Sequence, residues 1–167
     1  MELRLNKKPK NPVLIIGFPG IGLVGNISTN YLIENLEVEK IGSIIFDEAE
    51  PIIAVHKGGI LDEAAVFYNK KNNIAIVHFV MQVKKNMSWI VANAIEELCK
   101  KIDFSEIICI EGVNSASDLS RVMFFSNNES IKKKISKLGA EIMQEGIIFG
   151  PLAALMLKTC LLYTSDA

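Results

Sequence analysis

Gly20, Gly22 and Gly25 spell G-x-G-x-x-G, close behind the apolar run Val13–Ile16 and at the mouth of a helical pattern. In that setting glycines serve a dinucleotide turn. Backbone N–H groups at the helix start point at an anion, and no Cβ blocks its approach. Gly17 and Pro19 belong to the same stretch. A second candidate group shares the expected rim. Glu111-Gly112-Val113-Asn114 follows the buried run Glu106–Ile110, and open α/β sheets bind ligands beyond the carboxyl ends of their strands. Asp47, at the end of the second strand, falls near the distance expected of a ribose-binding acid.

Each of these has a plainer reading. Gly17, Phe18 and Pro19 stand between the apolar run and the fingerprint, where a dinucleotide turn is normally immediate. Asp47 heads an acidic cluster with Glu48 and Glu50, which repels phosphate. Gly17, Gly20, Gly22 and Gly25 therefore read first as a tight strand-to-helix turn and second as a ligand cradle. Gly112 and Asn114 read first as turn formers, and Glu111 as the polar group beside them. His56 sits by a hairpin turn and His78 inside a buried strand, neither with a partner at helical i, i+4 spacing. Neither a G-x-S-x-G elbow nor a G-x-x-x-x-G-K-[ST] loop occurs. Asp47, Glu48 and Glu50 lie too close in sequence to point one way from a strand. No catalytic residue, metal site or cofactor is expected.

The elements that must position these residues alternate. A polar lead-in with a short edge strand at Glu2–Leu5 precedes a strand at Val13–Phe18, which Pro19 ends. The helix from about Gly22 to Leu36 is expected to bury Val24, Ile27, Tyr31, Leu32 and Leu36, with Asn26, Thr29, Asn30 and Glu34 outward. A strand at Lys40–Phe46 follows, so strand, helix, strand implies a parallel pair. Short spacings at Ile52–His56, Ala64–Tyr68 and Ile74–Val80 suggest a small antiparallel insert between about 48 and 80. Asn86–Ile102 is the clearest helix, with Val91, Ala94, Ile95, Leu98 and Ile102 on one stripe. Beyond strand Glu106–Ile110 come a polar loop and an ambiguous stretch at Arg121–Phe125. Then follow a helix at Ser130–Leu138 closed by Gly139, a strand or extended turn within Glu141–Phe149 and a last helix at Leu152–Leu157. The expectation is one α/β domain over 1–158, three-layered, with a mixed, mainly parallel twisted sheet flanked by helices. Residues 159–167 stop mid-pattern and resemble read-through of a sequencing adapter joined to a truncated gene.

With 167 residues, half of them hydrophobic, the chain can fill a core. A net charge of -1 gives no electrostatic case for nucleic acid or an anionic membrane, and 7% aromatic residues argue against a base-stacking platform. Cys99, Cys109 and Cys160 lack metal-ligand spacing, and their odd number argues against a disulfide framework. The amino end has no apolar signal segment and no run reaches membrane-spanning length, so a cytoplasmic location is expected.

The glycine stretch carries more than its spacing. Gly17-Phe18-Pro19-Gly20-Ile21-Gly22-Leu23-Val24-Gly25, then Tyr31-Leu32 and Ile41-Gly42, resembles the archaeal branch of the proteasome assembly chaperone family. Ile107–Gly112 and the Gly146–Leu155 run fit the same pattern, and the likeness spans roughly 11–158. The resemblance implies a nucleoside-phosphorylase-like fold. It also implies a non-enzymatic protein that binds proteasome subunits or particles, usually as a homo-oligomer. Such homologues have also been labelled ATP-dependent ligases, which keeps a nucleotide- or phosphate-binding enzyme as the alternative. Archaeal members are longer, and some dock through a hydrophobic-Tyr-X ending. This chain closes on Ser165-Asp166-Ala167, and Leu162-Tyr163 stand short of its end.

Overall fold

The computed structural model describes residues 1–49, 54–56, 58–80, 85–113, 122–126 and 128–163. The chain forms two compact units, Met1–Val113 with Phe149–Ala167, and Asn114–Ile148. In chain order the larger unit holds β1 (Glu2–Leu5), β2 (Val13–Gly17), α1 (Val24–Asn35), β3 (Glu39–Ile45), β4 (Ala54–His56) and β5 (Gly59–Leu61). It continues with β6 (Ala64–Asn69), β7 (Ile74–Phe79), α2 (Ser88–Lys101) and β8 (Glu106–Ile110). The smaller unit holds β9 (Met123–Phe124), α3 (Glu129–Ser136) and β10 (Glu141–Ile142), and α4 (Pro151–Tyr163) belongs again to the larger one.

Six strands form one sheet in the order β1-β3-β6-β7-β2-β8. β2 runs parallel to both neighbours, with Val13 opposite Ile74 on one side and Glu106 on the other. The remaining pairs are antiparallel. By direction β2, β3, β7 and β8 run one way and β1 and β6 the other, so the sheet is mixed, as expected, with two parallel and three antiparallel ladders. Two sequence expectations need correction. β2 and β3 share a direction but are not neighbours, because β6 and β7 lie between them. β6 and β7 are therefore part of the main sheet, and only β4 and β5 form a separate two-stranded piece. The reason lies in burial. Ala75, Ile76 and Val77 are apolar in succession and need cover on both faces, so β7 takes an inner position. β3 opens on Glu39-Lys40 and lies one strand in from the edge.

One face of the sheet carries the main core. Leu14, Val66, Ala75 and Val77 pack there with Val91, Ala94, Ile95 and Leu98 of α2 and with Ala154 and Leu155 of α4. α2 keeps its expected stripe, with Glu97 and Lys100 outside, and Lys158 of α4 pairs with Glu96 of α2. α4 follows Gly150, held at φ +79, and runs past the expected Leu157 to Tyr163. The Gly146–Phe149 segment forms no strand.

α1 covers the other face, rotated from its expected orientation: Asn30 and Glu34 stay outward and Leu32 and Leu36 are half-buried, but Thr29 turns inward. Gly25 and Thr29 are its buried residues, whereas Ile27 and Tyr31 are 63% and 64% exposed and Val24 is exposed as well. The sheet beneath is so close that only small side chains fit.

In the smaller unit β9 and β10 pair in parallel, Met123 with Glu141 and Phe124 with Ile142. Asn128 caps α3 by accepting from the Ser130 and Ile131 amides. Gly139, at φ +90, follows that helix.

Candidate functional site

The carboxyl ends of β7, β2 and β8 lie side by side, and the glycine turn leaves from the middle one. After Gly17 the chain passes through buried Phe18 and Pro19. The Phe18 ring packs 5.6 Å from Phe79 at the end of β7, and Phe79 stacks on Phe46 at 6.4 Å. A single 3-10 turn, Ile21–Leu23, then leads into α1. Gly22 and Leu23 both adopt left-handed backbone, φ +64 and +54, so the chain reverses sharply there.

α1 then returns across β2 at close range. A Cβ on Gly17 would stand 2.6 Å from Thr29 Cγ2, and one on Gly25 would stand 2.5 Å from the Ile110 carbonyl oxygen and 2.7 Å from the Phe18 nitrogen. Real side chains never tolerate such distances. These glycines let strand and helix touch. The space beside Gly20 is likewise filled from within: a Cβ there would meet Glu111 Oε1 at 2.6 Å. Gly112 lies against the Ile21 backbone and Val24 Cγ2. The structure brings together Gly17 with Gly25, Gly20 with Glu111, and Gly112 with the turn, whereas Asp47, past the end of β3, pairs with the Met1 ammonium at 3.0 Å. Asn114 lies outside the described residues.

Periodicity missed three polar residues under the turn. The Thr29 hydroxyl lies 2.8 Å from the Gly25 carbonyl and 2.9 Å from His78 Nδ1. A hydroxyl has one proton and can also accept, so this single group links the α1 backbone to the imidazole, whose tautomer sets the direction of the second bond. Asn26 donates its amide to the Phe79 carbonyl, and its Oδ1 is buried with no hydrogen-bond partner among the described residues. The small-residue spacing Gly25–Thr29, one turn apart and facing Gly17, is the sequence signal that would have found this face.

Burial shifts both titratable groups of the rim toward neutrality. His78, flanking Gly17 in the ladder, is held below the usual imidazole range. Glu111 is held above the usual carboxyl range. No hydrogen bond or ion pair joins the two among the described residues. α1 has no side-chain cap, but a phosphate approaching Gly20 meets the Glu111 carboxyl rather than an open cradle. Burial also pushes the Cys99 thiol up to about 11 and Cys109 up to about 12, which leaves both as unreactive packing groups. Among the described residues no three His, Cys, Asp or Glu side chains group as metal ligands, and no helix is long and apolar enough to cross a membrane.

With this geometry in hand, the sequence matches the PAC2 family over residues 14–163. The chain belongs to the PAC2 family. The resemblance carried by Gly17–Gly25, Ile107–Gly112 and Gly146–Leu155 is borne out at that level. Among solved structures it is similar to Pyrococcus furiosus PbaA, an archaeal homolog of proteasome-assembly chaperone. That match has TM-score 0.79 and 25% identity, over 95% of this chain and 67% of PbaA. It also resembles a Thermoplasma acidophilum protein of unknown function, at TM-score 0.80 and 19% identity over 95% of this chain and 65% of the other. P. furiosus PbaB, an archaeal proteasome activator, matches at TM-score 0.77 and 22% identity over 92% and 72%. The latter two likenesses are of fold. The PAC2 chain described here thus spans about two thirds of the length of these relatives. A comparison with curated proteins found no match.

Proposed function

We propose that this PAC2 chain is a non-catalytic, cytoplasmic binding module that recognises proteasome subunits or assembled particles. The observation that carries the reading is its likeness to PbaA, 25% identical over 95% of the chain, within a family matched from residue 14 to 163. The rim geometry supports it. Gly17, Gly20, Gly25 and Gly112 make room for protein atoms, and Gly22 supplies the positive φ of the turn. On this reading Pro19 and Glu111 complete a structural rim rather than a ligand cradle.

Native mass spectrometry of the chain mixed with proteasome α and β subunits tests the proposal. A stoichiometric complex at micromolar concentration is expected. Unbound species alone, in mixtures with subunits and with assembled particles, would overturn it. In parallel, ATP, NAD, nucleosides and phosphate should leave the melting temperature unchanged. A ligand present at a hundredfold its dissociation constant would stabilise the fold by about 2.7 kcal/mol.

A further inference from the structure

The outer side of α1 runs against two local rules. Leu23, which opens the helix, holds φ +54, a left-handed conformation that a bulky side chain adopts only under strain. A glycine would sit there freely, as Gly22 does at φ +64. Glu34 lies in the last turn, where the helix dipole disfavours an anion, and no basic residue of that turn offsets it. Its carboxylate accepts from Asn30 Nδ2 at 3.0 Å and has no ion pair among the described residues.

Between these two positions runs an apolar stripe. Leu23, Val24, Ile27 and Tyr31 are all exposed and follow one another at steps of three and four. They present on the order of 400 Å² of apolar surface, within the size of patch that marks interaction sites. Their spacing is that of a helix laid against an apolar partner. Unfavourable residues kept at the ends of such a stripe point to use rather than to stability.

Charge selects the occupant. Lysine and arginine are absent from Asn11 to Glu39. Glu34 closes one end of the stripe. At the other end Glu111 lies beside Gly20, half-buried and with no ion pair among the described residues. Roughly 16 Å of helix separates the two ends. A second copy fits badly: with two α1 helices parallel or antiparallel, Glu34 of one copy faces Glu34 or Glu111 of the other, acid against acid. We propose that the α1 stripe docks an amphipathic helix of a partner protein whose apolar side is bracketed by lysine or arginine three turns apart. The cations reach Glu34 and Glu111, and Ile27 and Tyr31 anchor the centre. This rests on reading the chain as a binding module for proteasome subunits and assigns the surface that holds them.

Isothermal titration and native mass spectrometry of the full chain with proteasome α and β subunits and assembled particles test it. Ile27→Asp should weaken binding by about tenfold or more. Leu23→Gly and Glu34→Lys should each leave the urea midpoint of the chain at or above the parent's, yet weaken binding by about threefold or more. Added salt should weaken the parent more than Glu34→Lys. Val55→Asp, at an equally exposed apolar position on the β4–β5 hairpin, should change nothing. Binding that survives all three α1 variants overturns the inference and leaves the proteasome reading standing. So does a loss that Val55→Asp shares, or a self-assembled species that the α1 variants dissolve while subunit binding persists. Absence of binding by the parent chain overturns both.

Discussion

α1 and α2 lie on opposite faces of one sheet and are held there by different forces. α2 buries Val91, Ala94, Ile95 and Leu98 and shows its lysines and glutamates. Apolar area removed from water is enough to account for its place. α1 buries a glycine and a threonine and shows isoleucine and tyrosine. Its place depends on close backbone approach at Gly17 and Gly25 and on directed bonds from Asn26 and Thr29. The first kind of contact is soft and additive; the second is set by shape and fails abruptly.

The contrast is broken most severely at Gly25. Gly25→Val drives methyl groups into the Phe18 backbone and the Ile110 carbonyl, so urea unfolding should lose about 4 kcal/mol or more. A loss below about 1 kcal/mol would mean that α1 can lift off freely. On the opposite face Leu98→Ala leaves a cavity and should cost about 3 kcal/mol, with the native fold retained. An equal or larger loss than at Gly25 would erase the distinction between the two helices.

This difference also explains what the sequence reveals. The α2 stripe is legible because a helix that rests on a core advertises its buried side through period. The same rule, applied to Val24, Ile27 and Tyr31, chose the wrong side of α1, because there the available gap rather than hydropathy selects the inner residue. The strands were legible as apolar runs, and the Glu111 rim was legible from its position past a strand. Strand order was not. β6 and β7 are a local hairpin, but their insertion between β2 and β3 is decided by partners far away in the chain. Thr29 and His78 lie 49 residues apart, beyond any spacing rule.

The smallest expected effect is in pH, and it belongs to the α1 side. His78 has its folded pKa depressed below the ordinary 6.5, so its contribution to stability is present above 6.5 and lost as pH falls through the folded value. Glu111 has its pKa raised above the ordinary 4.5. Its contribution is full below 4.5 and lost as pH rises through the folded value. Melting temperature against pH should therefore flatten below 6.5 in His78→Gln, and Glu111→Gln should melt higher than the parent at pH 7. Unchanged profiles in both variants would remove the polar contribution from α1's attachment.

The central position of β2 has a consequence for how the protein is made. During synthesis the strand Val13–Gly17 leaves the ribosome before either of its ladder partners exists, since these begin at Ile74 and Glu106. Its apolar backbone must wait, unpaired, while α1, β3 and the β6–β7 hairpin are produced. Non-local pairing of this kind slows folding, and the interval in which nascent chains can stick to one another lasts until β7 emerges.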